Sequence, residues 1–260
     1  MSTIKTVVAS VGMICIYKDR VYAYNGTGAV KVFDLDLNVL YEKDISRYFS
    51  SIAAANDSFY GIESNCTIHR YDLNLNLIRT VLPDPNCSYY KKMMVGPTGK
   101  IYFDYYSSNI QPSQYYVKEL DAQLNYLRNY GLGLYETDYT VTPKGTIAYI
   151  YKESTWSDKP IYIGYIGPTG NQSSYNSYTP NINAVGASTV SGFYLIKNSE
   201  IQLYAENAVS MASVGYNVYS QFDYRTIVPD SFGGLLTLRY GGDSNYYLNR
   251  IVSRIKYEQP

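Results

Sequence analysis

The sequence predicts an all-β fold, a six-bladed β-propeller with four antiparallel strands in each blade. One short phrase returns six times along the chain: a polar or glycine turn, a β-branched or aromatic strand, a loop, and a second strand that runs into a hairpin. Helical periodicity is absent throughout. Equivalent apolar positions of the six copies lie 38, 42, 46, 46 and 42 residues apart, close to the roughly 40 to 50 residues of a four-stranded blade. These positions are Val21, Phe59, Ile101, Ile147, Phe193 and Leu235.

The first two copies show the phrase most clearly. DRVYAY at residues 19–24 leads to VFDLDLNVLYEKDI at residues 32–45, and DSFYGI at residues 57–62 leads to RYDLNLNLIRTVL at residues 70–82. Because these two copies match over such a length, chance does not explain the repeat. Later copies diverge but keep their places, beginning at Gly99, Gly145, Ser191 and Gly233.

The repeat predicts a single domain over residues 1–260, since no linker or low-complexity tract divides it. Residues 3–9 precede the first copy, and either they or residues 254–257 supply the outer strand of the last blade. That strand would close the ring and remove its exposed edges. The predicted repeats cover residues of about 10–48, 49–90, 91–136, 137–180, 181–221 and 222–260.

The composition favours a protein that works through surface contact. Lys+Arg and Asp+Glu both total 22, so the net charge is zero and no basic stripe is available to neutralise phosphates. Nucleic acid is therefore not expected as a partner. Only 17% of the residues are charged while 33 are tyrosine, which predicts a surface of hydroxylated aromatic and small polar side chains.

An apolar run at residues 7–17 does not change this interpretation. No small-residue cleavage site follows it, so we expect two strands and no cleaved signal peptide. The run is also shorter than the roughly 20 apolar residues that a membrane-spanning helix needs. We expect no membrane insertion.

The loops of a propeller fall on two faces, and the two groups differ in this sequence. Turns between the first and second strands, together with the outer hairpins, are short and use tight-turn residues. Connections between blades, and between second and third strands, are longer and rich in aromatic residues. Tyrosine offers large contact area at low entropic cost, so we predict that the long-loop face binds a glycan or a protein. The candidate residues are Tyr89, Tyr90, Tyr105, Tyr106, Tyr115, Tyr116, Tyr135, Tyr139, Trp156, Tyr175 and Tyr178. For any single tyrosine the alternative is a strand end that packs between blades.

The sequence predicts no catalytic residues, no metal site and no cofactor. Its one histidine, His69, has no nucleophile and acid arranged around it, so we expect a structural or solvated role in an edge-like position. The pattern Asp34-x-Asp36-x-Asn38 is similar to the start of a calcium loop, but the glycine and distant glutamate of that loop do not follow. Because Asp72-x-Asn74-x-Asn76 repeats it at the equivalent hairpin, a β-turn is the favoured interpretation.

The sequence also contains three cysteines and five N-glycosylation tripeptides. Cys15 lies in an inner strand and is expected to be a buried thiol. Cys66 and Cys87 lie in long loops of the second repeat, where a disulfide is geometrically feasible, although two reduced thiols are favoured without an indication of an oxidising compartment. The tripeptides begin at Asn25, Asn56, Asn65, Asn86 and Asn171, all in predicted turns or loops, and they matter only if the chain reaches a glycosylation machinery.

The hairpin YDLNLNLIR at residues 71–79 resembles the outer hairpin of propellers of the broad NHL and YVTN-like group. The chain's Tyr-, Asn- and Ser-rich, histidine-poor texture also resembles virion proteins, such as phage tail-tip propellers or surface proteins of viruses of hot-spring archaea. These resemblances imply a non-enzymatic structural module, virion or surface-associated, that contacts a receptor glycan or a neighbouring protein subunit. The alternatives are an interaction scaffold in the cytoplasm and a metal-dependent hydrolase that resembles propeller lactonases.

Overall fold

All regular structure in the described residues is β-strand. The computed structural model describes residues 2–9, 12–83, 85, 87, 89–96, 98–107, 114–133, 136–142, 144–152, 161–170, 172–177, 182–187, 192–197, 200–204, 210–215, 223–229, 234–240 and 246–252, and for many residues of the later strands it describes the backbone alone. Within these ranges there is no helix of the length and apolarity needed to span a membrane.

Twenty-four strands are traced through these residues. In chain order they are β1 Ser2–Ala9, β2 Met13–Tyr17, β3 Arg20–Tyr24, β4 Ala29–Asp34, β5 Val39–Asp44, β6 Ser51–Ala55, β7 Ser58–Ile62, β8 Ile68–Asp72, β9 Leu77–Val81, β10 Tyr89–Val95, β11 Ile101–Ser107, β12 Gln114–Leu120, β13 Tyr126–Gly133, β14 Glu136–Val141, β15 Ile147–Lys152, β16 Ile161–Ile166, β17 Gln172–Ser177, β18 Ile182–Ala187, β19 Phe193–Lys197, β20 Glu200–Tyr204, β21 Ser210–Gly215, β22 Asp223–Pro229, β23 Gly234–Tyr240 and β24 Tyr246–Val252.

The described strands pair into four-stranded antiparallel sheets. Sheets one to five each use four consecutive strands, starting with β2, β6, β10, β14 and β18, and a further sheet has the order β22-β23-β24-β1. The first strands of neighbouring sheets lie against one another, and β22 also contacts β2. Sheets arranged radially around their first strands are the architecture of a propeller, so the all-β propeller class is confirmed.

The N-terminal strand lies at the outer edge of the last sheet. β1 pairs antiparallel with β24, with Thr6 opposite Asn249 and Val8 opposite Tyr247. This is the position predicted for residues 3–9, and the alternative at residues 254–257 lies outside the described residues. β10 begins at Tyr89, two residues before the predicted repeat 91–136. β14 begins at Glu136, one residue before the predicted repeat 137–180.

Apolar side chains from adjacent sheets form the core between them. Tyr22 and Val32 of the first sheet pack in one cluster with Phe59 and Leu75 of the second. A second cluster joins the second and third sheets, and a third joins the third and fourth. Because both faces of a middle strand are covered in this arrangement, consecutive residues of β3 are buried from Val21 to Tyr24.

A shared hairpin closes the outer strands of the first three sheets. In the first, Asn38 donates its backbone N–H and its side-chain Nδ2 to the two carboxylate oxygens of Asp34, both at 2.8 Å. Asp72 with Asn76, and Asp121 with Asn125, repeat these bonds at 2.8 to 2.9 Å. The carboxylates thus bond to turn amides, which agrees with the β-turn interpretation of Asp34-x-Asp36-x-Asn38.

Candidate functional site

Six tyrosines lie in register at one end of the third sheet. Tyr89, Tyr106 and Tyr115 are directly opposed across β10, β11 and β12, and so are Tyr90, Tyr105 and Tyr116. This end of the sheet carries the connection from the second sheet and the β11–β12 loop, as the long-loop face was predicted to do. Successive residues of a strand point to opposite faces, so the rows lie on opposite faces of the sheet where side chains are described.

The side of this sheet that faces the fourth sheet carries a half-buried tyrosine pair. The ring centroids of Tyr106 and Tyr115 are 5.2 Å apart, and Tyr115 packs against a buried cluster that includes Tyr149 of the fourth sheet. Each ring therefore has one side supported by protein.

The fourth sheet repeats this arrangement at the equivalent register. Tyr151 and Tyr162 are directly opposed, one residue pair before the end of the described β15–β16 pairing, and their rings stack with centroids 5.2 Å apart. Tyr106 and Tyr115 likewise lie one residue pair before the end of the β11–β12 pairing. Tyr151 packs against the same cluster as Tyr115. We call Tyr106, Tyr115, Tyr151 and Tyr162, together with Tyr116 on the other face of the third sheet, the tyrosine surface.

Tyr151 and Tyr162 were missed by the sequence prediction, which placed candidates in loops and not at strand ends. The available signal was their position in the sequence, because they lie on either side of residues 153–160 as Tyr106 and Tyr115 lie on either side of residues 108–113. In the last sheet Tyr240 and Tyr246 are also directly opposed in backbone register, on either side of residues 241–245.

Tyr105 is buried, which corrects its prediction as a contact residue. Its side chain is 0% exposed because the row that contains it faces the core between the second and third sheets. Its hydroxyl accepts a hydrogen bond from Asn129 Nδ2 at 2.9 Å, and the ammonium of buried Lys118 lies 5.2 Å from its ring centroid. The Tyr116 ring stacks on it at 5.6 Å and is half-buried.

Tyr139 is also buried, at 0% exposure, and its prediction is corrected in the same way. Its hydroxyl lies 3.1 Å from the carbonyl oxygen of Lys92 and 3.0 Å from that of Tyr102, close enough to donate to either. The tyrosine therefore satisfies backbone groups of the third sheet from the fourth. For both residues, the alternative of packing between blades applies.

The remaining candidates are described in part or not at all. Tyr89, Tyr90 and Tyr175 are placed by their backbone pairing only. Tyr135, Trp156 and Tyr178 lie outside the described residues. Their role in binding stays a prediction.

A disulfide joins the two loop cysteines beside this surface. Cys66, in the β7–β8 loop, is bonded to Cys87, in the connection between the second and third sheets, with Cα atoms 6.2 Å apart. The structure thus differs from the favoured expectation of two reduced thiols, because the fold brings the two loops together at one sheet interface. Cys66 is buried there, and Cys87 and Tyr116 pack against the same cluster. Cys15 is a buried free thiol, and burial raises its pKa far above the ordinary value.

His69 is buried inside the second sheet and is not at an edge. It is 1% exposed, with Nε2 2.8 Å from Glu63 Oε1 and Nδ1 3.0 Å from Thr80 Oγ1. Burial lowers its pKa below 6.5, against the opposing effect of Glu63. Both ring nitrogens are occupied within one sheet, which fits the structural role predicted for it.

Within the described part of the chain, no three His, Cys, Asp or Glu side chains are grouped so that they could hold a metal ion. What this end of the sheets offers instead is contact: aromatic rings on strands, with hydroxyl groups for hydrogen bonds.

Neither a protein family model nor a curated protein sequence matches this chain. Several solved structures are similar in fold. The WD40 domain of Pan2 from Neurospora crassa is 9% identical with a TM-score of 0.62, over 96% of this chain and 77% of that one. A gluconolactonase from Xanthomonas campestris is 12% identical with a TM-score of 0.63, over 91% and 84%. The complex of KlAtg21 with the coiled-coil of AgAtg16 contains a chain 13% identical with a TM-score of 0.59, over 94% and 81%. At these identities the similarity demonstrates a β-propeller fold alone.

Proposed function

We propose that this protein is a non-enzymatic binding propeller, a virion or surface component whose tyrosine surface contacts a receptor glycan or a neighbouring protein subunit. The observation that carries the proposal is the pairing of half-buried tyrosines across strands at the same end of two adjacent sheets. Binding residues on propellers and similar scaffolds concentrate beside the loops at one end.

The tyrosine pairs are suited to binding because they are already ordered. A ring that stacks on its neighbour, as Tyr151 stacks on Tyr162, loses little further freedom when a partner covers it. Its exposed face offers apolar area and its hydroxyl offers a hydrogen bond. Both sugar rings and protein side chains are complementary to such a surface.

The disulfide between Cys66 and Cys87 supports a location outside the reducing cytosol. Disulfides persist in secreted, surface and virion proteins and are rare in cytosolic ones. The bond is placed in the interface beside Tyr116, so it also holds the loops around the tyrosine surface.

We further propose that the propeller is a closed ring of six blades. Six four-stranded sheets are traced through the described strands, each first strand contacts its neighbours, and β1 pairs with β24. A ring completed by a strand from the opposite terminus leaves no open end between first and last blades.

The test replaces the tyrosine pairs while leaving the fold intact. In one variant Tyr106, Tyr115, Tyr151 and Tyr162 become Ser, and binding is measured on a glycan array and to purified particles from the native source. We expect at least a tenfold loss, since truncation of a central aromatic residue of an interface costs about 2 kcal/mol or more. The matched control is Tyr126→Ser, a 57% exposed tyrosine at the other end of the third sheet.

Full binding by the tyrosine variant, with an unchanged circular dichroism spectrum, would overturn the proposal. Binding on the array identifies a glycan receptor, and binding only to particles identifies a subunit contact. The second candidate function is an intracellular protein-interaction scaffold, favoured by the similarity to a propeller solved with a coiled-coil partner. Recovery of the chain from the cytosol with Cys66 and Cys87 reduced would favour that alternative.

A further inference from the structure

Both cysteines of the disulfide stand at the centre of a glycosylation tripeptide. Cys66 is flanked by Asn65 and Thr67, and Cys87 by Asn86 and Ser88. Five such tripeptides occur in the chain, and the structure describes the asparagine of three: Asn25, Asn56 and Asn65. Their surroundings differ enough to discriminate among them.

The Asn25 side chain forms hydrogen bonds within the β3–β4 loop. Its Oδ1 accepts hydrogen bonds from the backbone N–H groups of Thr27, Gly28 and Ala29 at 2.8, 3.1 and 2.9 Å. The side chain is half-buried and held by the turn that it organises. Because this side chain is half-buried against the turn, a bulky group on its amide nitrogen has less room than one on an exposed asparagine.

The Asn56 side chain links the second sheet to the third. Its Nδ2 donates to the carbonyl oxygen of Gly99 at 2.6 Å, which links the β6–β7 turn to the corresponding turn of the third sheet. An N-linked glycan is attached through this same nitrogen. A glycan at Asn56 would therefore have to separate the two turns.

Asn65 is exposed on the β7–β8 loop. Its Oδ1 accepts the backbone N–H of Thr67 at 2.9 Å, and among the described residues its Nδ2 donates no hydrogen bond. Cys66 between them is buried and bonded to Cys87, so the loop is anchored by its middle residue while the asparagine stays on the surface. Among the described residues, a large group at this nitrogen therefore replaces no hydrogen bond.

We propose that Asn65 is the acceptor of an N-linked glycan. The donor is a sugar linked through its anomeric carbon to a polyprenyl phosphate or diphosphate. Asn65 Nδ2 forms a bond to that carbon, the bond from the carbon to the phosphate oxygen breaks, Nδ2 loses a proton, and the lipid phosphate leaves. Disulfide formation and this transfer occur in the same non-cytosolic compartments, so the disulfide and the tripeptide are consistent with each other.

The glycan would border the tyrosine surface without covering all of it. The β7–β8 loop lies at the same end of the sheets as Tyr116, and Cys66 belongs to the cluster against which Tyr116 packs. Tyr151 and Tyr162 belong to the fourth sheet, beyond the third. Glycosylation therefore limits access from the side of the second sheet and leaves the side of the fourth sheet open.

The test uses the full chain directed into the secretory pathway of yeast, and in parallel translated into rough microsomes. The glycopeptide is located by mass spectrometry after enzymatic release in heavy-oxygen water, which marks the formerly occupied asparagine. We expect occupancy at Asn65, loss of that glycan in Asn65→Gln and in Thr67→Ala, and its retention in Asn25→Gln and Asn56→Gln. Cys66→Ala keeps the tripeptide and should keep the glycan, which separates the acceptor role from the disulfide.

An unmodified Asn65 peptide in protein that has formed the Cys66–Cys87 bond, or in the microsomal product, would overturn the proposal. Occupancy at Asn25 or Asn56 in folded protein would show that burial and hydrogen bonding of the asparagine do not decide which site is modified, and would overturn the assignment to Asn65. The proposal is separable from the function proposed above, because the tyrosine variants test binding whether or not Asn65 carries a glycan.

Discussion

At the scale of single residues, burial explains how three hairpin leucines tolerate an unfavourable backbone conformation. Leu37, Leu75 and Leu124 occupy the same hairpin position, with φ of 60°, 61° and 69°, a region that costs a non-glycine residue about 1 to 2 kcal/mol. Each leucine is about 2% exposed, and burial of such a side chain contributes roughly 1.5 to 3 kcal/mol. Leu75 packs with the core of the preceding sheet, and so does Leu124. Burial against the neighbouring sheet therefore offsets the backbone cost.

Substitution of Asp72 by Ala should destabilise the protein by about 1 to 3 kcal/mol, because its carboxylate accepts three hydrogen bonds from Asn74 and Asn76. The backbone bond from Asn76 is the main reason that the pKa of Asp72 lies below 3.8. A carboxyl with a lowered folded pKa stabilises the protein above the unfolded pKa, and the contribution is lost as the pH falls through the folded value. Urea unfolding at pH 7 and pH 3 should give a smaller difference between wild type and variant at pH 3. Asp19→Ala, in an exposed turn, serves as the control and should change little at either pH.

His69 should make stability decrease on mild acidification. It is the chain's one histidine, and burial lowers its pKa below 6.5, while Glu63 opposes the shift and Arg47 adds to it. The folded protein binds the proton less readily than the unfolded chain, so stability from this group is complete above pH 6.5 and falls below it. Urea midpoints at pH 7.5 and pH 5.5 should drop further in wild type than in His69→Gln. An equal drop in both proteins would assign the pH dependence to other groups.

At the scale of strands and loops, the sequence predicted where strands lie better than which strand faces are buried and which loops meet. The phrase around Phe59 and Ile101 identifies strands because turn residues and alternating β-branched or aromatic residues are local signals. Whether the Tyr105 or the Tyr106 side chain is buried depends on which face of the strand the neighbouring sheet covers, and the two residues are identical and adjacent in the sequence. The pairing of Cys66 with Cys87 depends likewise on two loops meeting across a sheet interface, which no spacing in the sequence reports.

The disulfide should contribute measurably to stability. It closes a segment with a sequence separation of 21 residues, for which restriction of the unfolded chain predicts about 3 kcal/mol. Reduction should lower the urea midpoint of wild type and leave a Cys66→Ala/Cys87→Ala variant unaffected. Thiol titration of unreduced, denatured protein should detect Cys15 alone, and detection of all three cysteines would contradict the bond.

At the scale of the whole molecule, the described cores lie between neighbouring sheets and not within single sheets. Clusters that join sheets one to two, two to three, and three to four contain the largest buried side chains, including Tyr22, Phe103 and Tyr149. The proposed ring is closed by the pairing of β1 with β24, so we expect its stability to depend on β1.

A designed cross-link tests that closure. Thr6 and Asn249 are directly opposed, and opposed Cα atoms in an antiparallel pair lie about 4.5 to 5.5 Å apart, within the range of about 4.4 to 6.8 Å that a disulfide spans. Thr6→Cys with Asn249→Cys should therefore oxidise readily, and the link should raise the unfolding midpoint, since it closes a loop of nearly the whole chain. The control combines Thr6→Cys with Leu248→Cys, which shifts one partner to the opposite face of the strand and should not cross-link.

Deletion of residues 1–9 should lower the unfolding midpoint, because it exposes the edge of β24. Equal cross-linking of both pairs, or a deletion without effect, would mean that β1 does not close the ring.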